Sequence, residues 1–173
     1  MTSATSTGLL ELIDRADERS LAAAGLACLD RCLPLLAPEG AEVLRPVWAA
    51  VARGDGGAWG EAVGKARAAL EGAGDGADGV VTLVRAMLDG LPAEWAEGPL
   101  REWAARCSAI ALTVHGRYDA NEDGPLHAGE LRRQQAVLEA AAHGPTGLRR
   151  ARELSTEGGR VLRAVVSRRA RTA

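Results

Sequence analysis

The chain contains no Phe, one Tyr, two Ile and one Lys in 173 residues. Aromatic and β-branched side chains are what strands favour, so little remains from which to build a sheet. Cysteine is also scarce. Three residues, Cys28, Cys32 and Cys107, are too few and odd in number for a disulfide framework. Long hydrophobic runs are missing too. The longest uncharged apolar-rich stretch, Ser20 to Leu29, is too short to cross a bilayer, which argues against a membrane partner. The first ten residues carry no basic side chain, and Glu11 and Asp14 interrupt the apolar stretch that a signal peptide needs. These absences predict a cytoplasmic protein with free thiols.

What is present points to helices. Ala occurs 35 times, Leu 22 and Val 12, and Ala and Leu are strong helix formers. The core is expected to consist of Leu, Val and Ala, with four Trp as its large pieces. Small Ala side chains let helices approach closely, as in a bundle. Of the 21 basic residues 20 are Arg, the signature of a GC-rich genome, so no arginine gains functional weight merely by being Arg.

Gly and Pro punctuate segments of helical period. Residues 1–7 read as a flexible tail and 8–173 as one domain, a compact antiparallel all-α bundle of six or seven helices. The expected helices are Gly8 to Leu36, Glu42 to Arg53, Ala58 to Leu70, Val80 to Asp89, Pro99 to Tyr118, Pro125 to Ala142 and Thr146 to the end, with Gly72 to Gly79 as a loop. Gly-Pro recurs at residues 98–99, 124–125 and 144–145, each time just before a helical pattern. Proline suits the first helical turn, where its missing N–H has no partner to lose.

One stretch carries a motif. Asp119, Asn121 and Asp123 supply oxygen donors at alternate positions, Gly124 follows, and Glu130 closes a twelve-residue span. Leu126 stands at the eighth position, and expected helices flank the stretch. It resembles the calcium loop of the EF-hand family, and the resemblance implies calcium held by Asp119, Asn121, Asp123 and Glu130. The Gly-Pro pattern offers another reading, a plain polar turn before a helix. The two differ in what they expect. The plain turn starts the next helix near Pro125, whereas the calcium loop starts it near Ala128 with Glu130 turned back to the loop.

Cys28 and Cys32 share a helix face with Leu21, Ala24 and Leu35, and Cys107 shares one with Trp103, Ile110 and Val114. A zinc site is conceivable, but free Cys packs readily in cores, and the two faces are expected to meet across a helix pair. His115 and His143 fall near helix C-termini, where an imidazolium suits the helix dipole. No nucleotide-binding, zinc-protease or nucleophile-elbow motif is present, so the residues give no support for an enzyme.

The charge is unevenly spread. Residues 132–173 hold ten Arg and three Glu, a sum of +7, while residues 1–131 hold 11 basic and 20 acidic side chains, a sum of −9. The outward arginines of the last helix, Arg149, Arg150, Arg160, Arg163, Arg168 and Arg169, form a candidate anion-binding set. No aromatic residue lies between them, which speaks against nucleic acid, because bases would find no stacking platform. Near-neutrality of the whole predicts instead that this helix lies against acidic neighbours. The chain thus reads as a non-catalytic protein that binds another protein or a small ligand. Calcium binding and polyanion binding are the alternatives. The oligomeric state is left open, a dimer included.

Overall fold

The computed structural model describes residues 2–74, 78–121 and 123–173; Met1, residues 75–77 of the expected loop and Glu122 of the calcium-like stretch lie outside them. Among the described residues the chain forms eight α-helices and no strand. These are α1 (Thr2–Arg15), α2 (Glu18–Cys32), α3 (Arg45–Arg53), α4 (Gly56–Ala69), α5 (Gly79–Asp89), α6 (Glu97–Gly116), α7 (Pro125–Ala141) and α8 (Pro145–Thr172). Short 3-10 helices at Leu33–Leu35 and Gly40–Leu44 link α2 to α3. The fold is an all-α helical bundle. No helix among the described residues is long and apolar enough to cross a membrane.

The eighth helix comes from the first expected one, which is two. α1 begins at Thr2, inside the stretch read as a tail, and ends at Arg15. Asp17 then adopts an extended backbone and its Oδ1 accepts the Ser20 N–H at 2.8 Å, which starts α2 afresh. Asp55 and Asp78 cap α4 and α5 in the same way. α7 and α8 start with Pro at the first turn after Gly, as the Gly-Pro pattern predicts, while α6 starts two residues earlier, at Glu97.

α2 is the central helix. It packs against α6, α7 and α8 and also touches α3 and α5. Its apolar side chains Leu21, Leu26 and Leu29 are wholly buried, which an apolar surround on several sides requires. Gly25 lets α6 close in: a Cβ there would lie 2.4 Å from Trp103 Cζ3. Trp59 meets Trp95 and Trp103 edge-on at 5.4 and 6.3 Å. All four indole N–H groups donate, Trp48 to Asp30, Trp59 to the Pro92 carbonyl, Trp95 to Glu18 and Trp103 to the Met87 carbonyl. Trp48, Trp59 and Trp103 are thereby buried, and Trp95 half-buried, without orphaning their polar edge.

Candidate functional site

Three places carry chemistry: the 119–130 stretch, a polar cluster at the centre of the bundle, and the outer face of α8.

In the first, α7 begins at Pro125, the start expected of a plain turn. Asp119 supplies its cap from a distance. Its Oδ1 accepts the Leu126 N–H and its Oδ2 the His127 N–H, both at 2.9 Å. The left-handed residue is Asp123, with φ of 58°, whereas Gly124 is extended with φ of −70°. Pro125 enforces that extension on the residue before it. Gly is still needed at 124, because a Cβ would fall 2.5 Å from Asp119 Cγ. Asp123 lies 3.8 Å from His127 Nδ1, and Asn121 is exposed. Glu130 does not turn back to this loop. The four residues of the calcium reading are therefore not gathered, and among the described residues no three His, Cys, Asp or Glu side chains are grouped to hold a metal ion.

Glu130 instead enters the second place, between α2, α6 and α7. Arg31 Nη2 meets Glu130 Oε1 at 2.5 Å and Arg31 Nε meets Oε2 at 2.9 Å, a two-pronged pair with both side chains wholly buried. Gln134 Nε2 donates to Glu130 Oε1 at 3.0 Å and to the Ser108 carbonyl, and Ser108 Oγ donates back to Gln134 Oε1. His115 Nδ1 faces the Ala111 carbonyl at 2.7 Å, so its Nε2 confronts Glu130 Oε2 at 3.4 Å. Arg133 Nε approaches the same oxygen at 3.6 Å. α8 closes the cluster through Gly158, where a Cβ would lie 2.3 Å from Arg31 Cδ.

Electrostatics follow from burial and neighbours. Burial pushes the Glu130 carboxyl up, but the Arg31 guanidinium beside it and hydrogen bonds from Arg31 and Gln134 outweigh it and hold it below the usual range. Burial works against charge on Arg31, and Glu130 beside it more than restores the charge. For His115 burial wins over Glu130 and pushes the imidazole down, so the ring is neutral at pH 7. It is therefore no cationic partner for the α6 dipole. His143 is exposed in the turn after α7. Burial likewise pushes the Cys28 thiol up to about 12, and Cys32 and Cys107 well above their ordinary value. All three cysteines are free and buried, on the facing sides of α2 and α6, and Arg31 Nη2 also reaches Cys28 Sγ at 3.5 Å. The thiols are inert core residues at neutral pH.

Of this cluster, only Glu130 and His115 drew notice in the sequence, each for another role. No motif marks Arg31. Its signal was there: a charged residue at 31 between Leu29 and Cys32, three after Cys28, inside an apolar stripe.

The third place is α8. Leu148, Ala151, Leu154, Ser155, Gly158 and Leu162 form its buried stripe against α2 and α7. Successive helical residues turn by about 100°, which sets Arg149, Arg150, Arg160, Arg163, Arg168 and Arg171 away from the stripe, with Arg152 at its edge one turn after Leu148. All seven are exposed. Arg169 points the other way, its guanidinium 5.4 Å above the Tyr118 ring and bonded to the Tyr118 carbonyl at 2.7 Å. The expected acidic neighbours do not cover this face. Among the described residues its one ion pair is internal, Arg150 with Glu153 at 3.6 Å, and Arg163 reaches the Pro38 carbonyl. The apolar stripe, not charge pairing, docks the helix.

Fold and sites together define a helical bundle with a closed polar centre and one arginine-lined outer helix. No protein-family model, curated protein or solved structure matches this chain.

Proposed function

We propose that this chain is a non-catalytic binding protein that docks an acidic protein surface on the outer face of α8. The observation that carries the reading is the set of six exposed arginines, Arg149, Arg150, Arg160, Arg163, Arg168 and Arg171, on the side of α8 away from its buried stripe. Over 28 residues this face is roughly 42 Å long at 1.5 Å per residue. Arginine is enriched at protein interfaces, where its planar fork pairs with carboxylates. A protein partner fits better than a phosphate backbone for two reasons. Glu153 and Glu157 sit among the arginines and would repel a polyphosphate, whereas a partner surface of mixed sign pairs with both. The face also lacks an aromatic platform for bases. The three free cysteines are in keeping with a reducing compartment, and the proposal puts the protein's work in the cytoplasm.

The test is fluorescence anisotropy of a labelled Asp/Glu-rich peptide and of a duplex DNA of matched charge, at ~0.15 M salt, where the Debye length is about 8 Å. The peptide is expected to bind, and R160E/R168E to weaken it at least about tenfold, a loss of roughly 1.4 kcal/mol. Tighter binding of the DNA, no binding of the peptide, or an unaffected variant would each overturn the reading.

A further inference from the structure

We infer that the groove between α3 and the start of α8 is a binding site for a small organic anion with an apolar body. The groove holds about 290 Å³, just below the roughly 300–1,000 Å³ usual for small-molecule sites, which suits a small ligand. Arg45 of α3 and Arg149 and Arg152 of α8 stand around it, while Trp48, Ala49 and Leu148 supply an apolar floor. Among the described residues no carboxylate lines it. Three arginines from two helices thus border one concave, partly apolar space.

Their charge is poorly matched from within the molecule. Arg149 makes no ion pair or hydrogen bond among the described residues. Arg45 reaches Glu42 at 3.3 Å, but both side chains are well exposed, at 64% and 73%, and such a pair contributes little and yields to a competitor. Asp30 beneath the floor offsets part of the Arg152 charge, yet its Oδ2 already accepts the Trp48 indole N–H at 3.1 Å. The helix end adds to the field. α8 begins with Gly144 and Pro145 and has no side-chain cap, so its first amides are left to solvent or to a ligand. Asp17, Asp55 and Asp78 supply such a cap for α2, α4 and α5; the start of α8 has none.

The shape decides what kind of anion fits. A free inorganic ion would use the arginines and leave the floor of Ala49, Leu148 and the edge of Trp48 wet. A phosphate or carboxylate carried on a ring or short hydrocarbon uses both, with charge-assisted bonds at the rim and apolar contact below. The site borders the outer face and shares Arg149 with it, but it does not use the far end of that face. Arg160 and Arg168, which the docking of an acidic protein requires, lie two or more turns further along α8.

The experiment is isothermal titration of the whole chain with phenyl phosphate, inorganic phosphate and phenol. Phenyl phosphate is expected to bind saturably, at least about tenfold tighter than inorganic phosphate, with phenol showing no saturation. R149Q/R152Q is expected to lower that affinity about tenfold or more, while R160E/R168E leaves it unchanged. Circular dichroism checks that both variants stay helical; the substituted side chains are exposed. Equal affinity for inorganic phosphate, no saturable binding, or an unchanged R149Q/R152Q would overturn the inference. Loss of acidic-peptide binding in R160E/R168E with intact phenyl phosphate binding separates this site from the outer face.

Discussion

At the scale of single residues, Arg31 and Glu130 carry the largest stake. Each is a full charge removed from water, and each is tolerable only because the other is within 2.5 Å. Removing one leaves an uncompensated buried charge, which costs about 3–5 kcal/mol, whereas replacing both with apolar groups of similar volume is often close to neutral. R31M and E130L are therefore each expected to lower the urea midpoint strongly, and R31M/E130L to recover most of the loss. Simply additive losses in that cycle would mean that the two groups do not act as a pair. The pair was not legible in the sequence for a plain reason. Its partners lie 99 residues apart, and no local period links them. Glu130 was noticed only because the spacing from Asp119 mimics a calcium loop. The spacing alone could not tell that Asp119 would spend both oxygens on the α7 amides.

Elements were far easier to read. The periodic segments, the Gly-Pro starts and the α3 stop at Gly54 all follow from local chemistry, and Gly54 takes the left-handed φ of 62° that ends a helix. The break between α1 and α2 was missed because the apolar period continues through it and only Asp17 marks it. Glycine within helices separates two situations that sequence cannot distinguish. At Gly147, in the first turn of α8, a Cβ would lie 1.7 Å from the Ala140 carbonyl oxygen, a backbone atom that cannot swing aside. At Gly64, inside α4, a Cβ would meet nothing within 4 Å. Gly147→Ala is expected to destabilise by about 1–3 kcal/mol or more through overpacking. Gly64→Ala should gain about 0.5–1 kcal/mol from helix propensity and reduced freedom of the unfolded chain. Thermal melts of the two variants check both signs, and a stabilised Gly147→Ala would contradict the close approach of α7 and α8.

For the whole molecule, the buried cluster sets the response to acid. His115 binds its proton less readily when folded than its ordinary 6.5, because burial outweighs Glu130. Just below pH 6.5 the unfolded chain therefore takes up more protons than the folded one, and stability falls as pH falls through that region. Glu130 is held below its ordinary 4.5, so its contribution is complete above that value and is lost as pH drops toward its folded pKa. Chemical denaturation across pH 3–8 should show a plateau near neutrality, a first decline below about 6.5 and a steeper one below about 4.5. H115Q should remove the first decline and keep the second; a first decline that persists in H115Q would assign it to another group. The charge division behind near-neutrality has a different meaning from the one the sequence suggested. Among the described residues the outward arginines of α8 form no ion pair with another helix, so their charge is offset at a distance by acidic side chains elsewhere.

The place of α2 has a consequence for how the chain is made. Its principal neighbours α6, α7 and α8 all begin at residue 97 or later, whereas α2 is complete by residue 32. Synthesis proceeds from the N-terminus at about 5–20 residues per second. The most deeply buried helix therefore emerges from the ribosome seconds before the surfaces that cover it. Until α7 arrives with Glu130, the Arg31 guanidinium remains in water and keeps that face of α2 hydrated. The charge that is hardest to bury in the finished bundle is the one that makes its central helix tolerable during the wait.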